Sequence, residues 1–137
     1  MNHLDIVIPA KPDEIFKVTS DIEEILVAQE FTDEAVLDVR LALEEVIVNI
    51  ISHGYCGRTG SIAIRCTASP LKAEIEISDS APAFNPLSVP EPDTTAAIEE
   101  RSIGGLGILL VRQVMDMVTY RHKNHRNVLT LVKIKRE

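Results

Sequence analysis

At 137 residues, with 45% apolar and 26% charged side chains, the chain has the make-up of a globular domain with room for one core. A net charge of −7 disfavours general nucleic-acid binding, and the lack of Trp with only 4% aromatics argues against base- or sugar-stacking platforms. No apolar run approaches the roughly 18 residues of a membrane span and no charged-apolar-small leader opens the chain, so no membrane contact and a cytoplasmic location are expected.

The first element alternates Leu4, Ile6 and Ile8, the pattern of a short strand that Pro9 closes. Pro12 opens a helix, with Asp13 and Glu14 in its first turn, where the macrodipole favours acids. Ile15, Phe16, Val18, Ile22, Ile25 and Leu26 give it an apolar stripe out to about Gln29. Thr32 or Asp33 caps a second helix, expected to run to His53 and to stop at Gly54. Ser61 to Thr67 and Lys72 to Ser78 alternate as a pair of strands about Pro70. From Asp79 to Arg101 the periodicity fails. A run of that length inside a compact domain signals either a functional lid or a disordered link. Gly104-Gly105-Leu106-Gly107 then leads into an amphipathic helix expected at 108–116. Two strands follow, at 116–122 and 128–135, joined by a turn at Asn124-His125-Arg126-Asn127. The order β-α-α-β-β-loop-α-β-β implies an α+β fold: a two-layer α/β sandwich with a mostly antiparallel sheet and helices on one face. One domain, 1–137, is expected.

Charge is uneven along this order. Residues 1–100 hold 6 basic and 19 acidic side chains, whereas residues 101–137 hold 8 and 2. Either two faces are solvated differently, or the C-terminal third faces something anionic. Cys56 and Cys66 fit reduced thiols, and Cys66 shares its alternation with Ile62 and Ile64, as a packing residue would. His3, His53, His122 and His125 are scattered and do not have the spacing of a zinc site.

Three groups carry chemistry. Glu45 and Asn49 lie one turn apart on a helix that is apolar on most of its sides. They either satisfy each other within the core or line a ligand cavity. In a cavity the Asn49 amide oxygen suits Mg²⁺ and the Glu45 carboxylate can take a proton from an attacking hydroxyl or water. Glu44 points a different way, toward solvent or a neighbour. Asp79 ends a strand, in Asp79-Ser80-Ala81-Pro82-Ala83-Phe84-Asn85-Pro86. It either caps a turn or accepts a hydrogen bond from an exocyclic amine. Gly104, Gly105 and Gly107 either make a tight turn or bare backbone N–H groups for a polyphosphate at a helix start. The Gly-x-x-x-x-Gly-Lys-Ser/Thr loop is absent, and the first strand is not followed by a Gly-x-Gly-x-x-Gly turn. A nucleotide site here therefore belongs to a different fold.

In their order and placement these groups resemble the boxes of the ATP-binding superfamily that includes DNA gyrase, heat-shock chaperones, histidine kinases and mismatch-repair ATPases. Within it the chain looks most like the anti-sigma-factor serine/threonine kinases of bacteria. Glu45-Val46-Ile47-Val48-Asn49, followed by His53-Gly54-Tyr55, is similar to that family's Glu-x-x-x-Asn box. Asp79 to Pro86 is similar to its Asp-x-Gly-x-x-Phe-Asp/Asn-Pro box, and Gly105-Leu106-Gly107-Ile108 to its Gly-x-Gly-Leu box, with Asp116 where the family's helix usually ends. The resemblance covers essentially the whole chain.

It implies a histidine-kinase-like ATPase (Bergerat) fold with ATP and Mg²⁺ as cofactors. Glu45 would be the general base, Asn49 the metal ligand and Asp79 the reader of the adenine amine. Ala81 and Phe84 would line the same site. Gly105, Leu106 and Gly107 would hold phosphate, with Arg101 a phosphate contact and a lid at about 88–103. The implied partners are an anti-anti-sigma protein, which would be phosphorylated, and a sigma factor. A homodimer is also implied, for which the first strand and the 12–29 helix could form a face. Two departures stand out: Ile108 replaces Leu, and Ala81 replaces the usual Gly. The second would weaken binding if that Gly held φ > 0 or backed onto adenine. It keeps open a non-catalytic nucleotide-binding partner-switching module as an alternative, with a simple ATPase as a third.

Overall fold

A computed structural model describes residues 2–88 and 105–136. The elements, in order, are β1 (His3–Pro9), α1 (Ile15–Ala28), α2 (Asp33–Asn49), β2 (Ser61–Ala68), β3 (Lys72–Asp79), α3 (Gly105–Val114), β4 (Met117–Lys123) and β5 (Arg126–Ile134). The strands form one antiparallel sheet in the order β1-β2-β3-β5-β4. The expected α+β sandwich is present. No helix among the described residues is long and apolar enough to cross a membrane.

Alternation explains the layer. Ile62, Ile64, Cys66 and Ala68 on β2 share the buried phase with Ala73, Ile75 and Ile77 on β3 and with Leu129 and Leu131 on β5. Val18, Ile22 and Leu26 of α1, Val39, Leu43, Val46 and Ile47 of α2, and Val111 of α3 complete the core. Each such aliphatic side chain contributes about 1.5–3 kcal/mol when fully withdrawn from water. Burial pushes the Cys66 thiol up to about 12, so it packs as an apolar group.

Local chemistry sets the helix ends. A short 3-10 turn, Pro12–Glu14, leads into α1. Glu30 ends α1 at φ 63°, with Phe31 N–H donating to the Leu26 carbonyl and Glu30 N–H to the Val27 carbonyl. This is a Schellman stop with Glu where Gly is usual. Thr32 caps α2 through its hydroxyl, which accepts from Ala35 N–H at 3.1 Å. At the other end of the sheet, Lys133 donates to Asp38 at 3.0 Å and to the last carbonyl of α3, Val114, at 2.6 Å. Asp116, just past α3, accepts from Ile134 N–H and pairs with Arg136, whose guanidinium holds the carboxyl below its usual range.

Several boundaries differ from the sequence expectation, and those of the second helix, the third helix and the last hairpin bear on function. The second helix does not run as α-helix to His53. It ends at Asn49 and opens into a π-helical turn, Ile50–Gly54, in which Tyr55 N–H reaches back to the Ile50 carbonyl. The helix expected at 108–116 starts at Gly105 and ends at Val114, so Gly105 and Gly107 sit in its first turn. The last hairpin turns on Asn124 and His125 alone, at φ 54° and 62°, a tight turn of primed type. Strand β5 therefore begins at Arg126 and not at 128, which places Asn127 in the sheet. Strand β4 correspondingly runs Met117–Lys123.

Candidate functional site

The π-helical turn is where the site begins. It interrupts the regular ladder directly after Asn49, and Gly54, the last residue of the turn, packs against Ala81. A Cβ on Gly54 would come 3.2 Å from the Ala81 Cβ, so glycine lets the two segments close. Beyond it Tyr55 is buried. Its hydroxyl donates to the Ser61 carbonyl at 2.7 Å and accepts from Ser80 N–H at 2.9 Å, and a Cβ at Gly60 would run into its ring. That tyrosine fixes the end of β3.

Between these segments lies a cleft. Asn49, Asp79, Phe84, Tyr120 and Asn127 give it its polar and aromatic groups, and Val46, Ile50, Ile108 and Leu129 its apolar wall. Asp79 continues the buried phase of β3 and is 5% exposed. Its Oδ1 accepts from Ala81 N–H and from Asn127 Nδ2, both at 3.0 Å. Among the described residues its Oδ2 has no partner. A buried carboxylate oxygen left bare costs stability unless something fills the place, so this atom points to a hydrogen-bond donor beyond the described residues, a place a ligand can take.

Glu45 and Asn49 do not pair with each other, and among the described residues neither side chain has a hydrogen-bond partner. Both are half-buried. Glu45 reaches instead to the first turn of α3, where a Cβ added to Gly107 would come 2.6 Å from its Oε2. Only a glycine admits the carboxylate there. Glu44, one residue earlier, turns away and pairs with Arg40 at 3.5 Å on the surface.

A family model described as "histidine kinase-like ATPase domain" matches residues 8–133. The chain belongs to this histidine kinase-like ATPase family. The serine-protein kinase RsbW of Bacillus pumilus is 27% identical over 122 residues, covering 84% of this chain and 75% of the relative. The protein of the same name from Listeria monocytogenes is 28% identical over 116 residues, covering 81% and 74%. A solved structure of the RsbU and RsbW domains of a Mycobacterium tuberculosis protein superposes with a TM-score of 0.66 at 14% identity, over all of this chain and 34% of that one. That likeness bears on the fold.

Within the family's fold, the residues singled out in the sequence fall into two groups. Asn49, Asp79 and Phe84 line the cleft, and Ala81 N–H bonds Asp79; Glu45 and Gly107 meet each other next in the chain to the lining residues Val46 and Ile108, and Gly105 and Leu106 complete that turn of α3. Ala81 is buried and is not among the residues with positive φ. The conformational objection to Ala at this position therefore falls away. Arg101 and the expected lid beyond residue 88 lie outside the described residues.

Sequence reasoning missed Asn127 and Tyr55. The sequence pattern places Asn127 in the hairpin turn, where its phase is hidden. Once β5 starts at Arg126, Asn127 alternates with Leu129 and Leu131 and stands directly opposite Asp79 in the sheet. A polar residue in a core phase was the available signal.

Proposed function

We propose that this protein is an ATP-dependent serine/threonine kinase of the anti-sigma-factor type. In this reading it phosphorylates a small anti-anti-sigma regulator and switches between that regulator and a sigma factor. The observation that carries the reading is the Oδ2 of buried Asp79, in one cleft with the Asn49 amide, both without a hydrogen-bond partner among the described residues, and with Glu45 set against the first turn of α3. Relatives named as serine-protein kinases support the reaction type. Residues and cofactor fit each other: a carboxylate acceptor, an amide oxygen suited to Mg²⁺ and a helix N-terminus suited to phosphate lie around one cavity.

When bound, Mg-ATP supplies the phosphoryl group, with the metal offsetting phosphate charge. Asp79 Oδ2 accepts the hydrogen bond of the adenine amine. Asn49 offers its amide oxygen as a hard ligand. The first turn of α3 aims backbone N–H groups at the phosphates, aided by Arg101. Glu45 takes the proton from an incoming serine hydroxyl, whose oxygen bonds to the terminal phosphorus as ADP leaves. The protein acts in the cytoplasm as a homodimer and as one domain, with residues 88–103 as its lid.

Incubation with labelled ATP and a candidate anti-anti-sigma domain tests this reading. Label should appear on a serine or threonine of the acceptor. Glu45→Ala should lower the transfer rate by about 10²–10⁴ while ATP binding stays close to wild type. Full transfer by that variant would refute Glu45 as the base. Phosphate release that needs no acceptor would instead mark a simple ATPase.

A further inference from the structure

The side chain that contacts most of the cleft's machinery is Asn127. It is 7% exposed. Its Nδ2 donates to Asp79 Oδ1 at 3.0 Å, to the Ala81 carbonyl at 3.1 Å and to the Pro82 carbonyl at 3.2 Å. Its Oδ1 accepts from Phe84 N–H at 3.1 Å and from the Tyr120 hydroxyl. Three acceptors on one side and two donors on the other fix the amide's orientation, because a flipped amide would set oxygen against three oxygens.

That inventory also decides what Asn127 can do. An amide has two N–H hydrogens and one oxygen with two lone pairs. All of them are engaged within the chain, so Asn127 has nothing left to offer a ligand. Its effect must pass through the groups it holds, and four of those (Asp79, Pro82, Phe84 and Tyr120) line the cleft. Its grip on Asp79 is specific to one oxygen. With Oδ1 shared between Ala81 N–H and Asn127, the carboxylate cannot rotate about its Cβ–Cγ bond without losing both contacts, and Oδ2 is the atom left to face the cavity. Arg126 reinforces the same strand end, donating to Ser80 Oγ at 2.8 Å and Ser78 Oγ at 3.1 Å.

We propose that Asn127 is a positioning residue that sets the protein's selectivity for a nucleobase bearing an exocyclic amine, by holding Asp79 as a one-sided acceptor and fixing the 81–84 segment beside it. This rests on the nucleotide reading of the cleft. Without the Asn127 amide, Asp79 Oδ1 keeps only Ala81 N–H, the carboxylate gains a second orientation, and Phe84 loses its backbone anchor. The loss falls on the amine contact and not on the phosphate contacts, which come from α2 and α3.

The test is a calorimetric comparison of Mg-ATP with Mg-purine riboside triphosphate, which lacks the 6-amino group, using the full chain. Wild type should prefer ATP. Asn127→Ala should cut that preference by about tenfold while binding of the analogue changes by less than about threefold. In an Asp79→Asn background the same substitution should cut it no further, because the acceptor it positions is already gone. Tyr120→Phe keeps the ring but removes one donor to Asn127 Oδ1. It should produce a smaller loss of preference in the same direction, and it carries the test if Asn127→Ala does not fold. Equal weakening of both nucleotides, or an unchanged preference in Tyr120→Phe when Asn127→Ala is unfolded, would overturn the proposal and leave Asn127 a packing residue. A wild type that prefers ATP beside an Asn127→Ala variant that keeps the preference overturns this inference alone. A wild type that binds neither nucleotide overturns the nucleotide reading and this inference with it.

Discussion

The two ends of the cleft are built in opposite ways. At the sheet end, Asp79, Asn127, Tyr120 and the backbone of 81–84 close a largely buried hydrogen-bond network, in which Asp79 Oδ2 has no partner among the described residues. At the helix end, Glu45 and Asn49 stand half-buried, and among the described residues they have no hydrogen-bond partner. The difference teaches where specificity and chemistry divide. A network that is already satisfied is rigid and reads shape, since moving any member leaves another one bare. Unpaired groups wait for charge that arrives with the ligand. In the proposed reaction, the sheet end selects the nucleotide and the helix end acts on it.

The largest expected effect comes from stripping the helix end. Asn49→Ala should abolish Mg²⁺-dependent nucleotide binding while leaving the circular dichroism spectrum and melting curve essentially unchanged, because among the described residues the amide has no hydrogen-bond partner to lose. Chelating Mg²⁺ from wild type should give the same binding loss, and chelation should have no further effect on the variant. If Asn49→Ala instead unfolds the chain, the amide belongs to the core and the contrast between the two ends is lost.

A smaller effect should follow from crowding that end without removing a polar group. Gly107→Ala places a methyl where the Glu45 carboxylate now lies, 2.6 Å from Oε2. The carboxylate is the far end of a flexible side chain, so it can swing aside at little cost in stability. Alanine is also the better helix former by about 1 kcal/mol. The melting temperature should therefore hold or rise while the transfer rate falls by about tenfold, a misplaced base being a costly defect even over short distances. A variant as active as wild type would show that the carboxylate's position against α3 is not the working one.

These contrasts were partly legible in the sequence. The elements themselves were, because period and punctuation agreed: Leu4-Ile6-Ile8, the Thr32 cap and the alternation of Ile62-Ile64-Cys66 each point to one answer. The helix-end groups were legible too, since Glu45 and Asn49 are polar intrusions on an apolar helix. What stayed hidden depends on register and on long-range bonds. A turn of four residues rather than two shifts Asn127 from the sheet to the loop, and nothing local to Asn124-His125-Arg126-Asn127 forbids the longer turn. Glu30 in left-handed backbone hid in the same way, as only the pairing of Phe31 N–H with Leu26 reveals the stop. Tyr55 read as the tail of a motif, while its hydroxyl bridges Ser61 and Ser80 across the fold.

Tyr55 also supplies the smallest effect and the sharpest division of labour at the sheet end. Its hydroxyl bonds Ser80 N–H, the residue after Asp79, yet it makes no hydrogen bond to Asp79 or to the 81–84 segment. Tyr55→Phe keeps the ring that fills the space over Gly60 and removes only the bridge. Two backbone groups lose a partner in a partly buried place, which should lower unfolding stability by about 1–3 kcal/mol, read from the shift of the denaturant midpoint. Preference for ATP over the analogue lacking the amine should change by less than about twofold, because the Asn127 contacts to Asp79 Oδ1 remain. If the preference instead falls as far as in Asn127→Ala, the orientation of Asp79 depends on the whole strand end. Selectivity would then be a property of sheet stability and not of one amide.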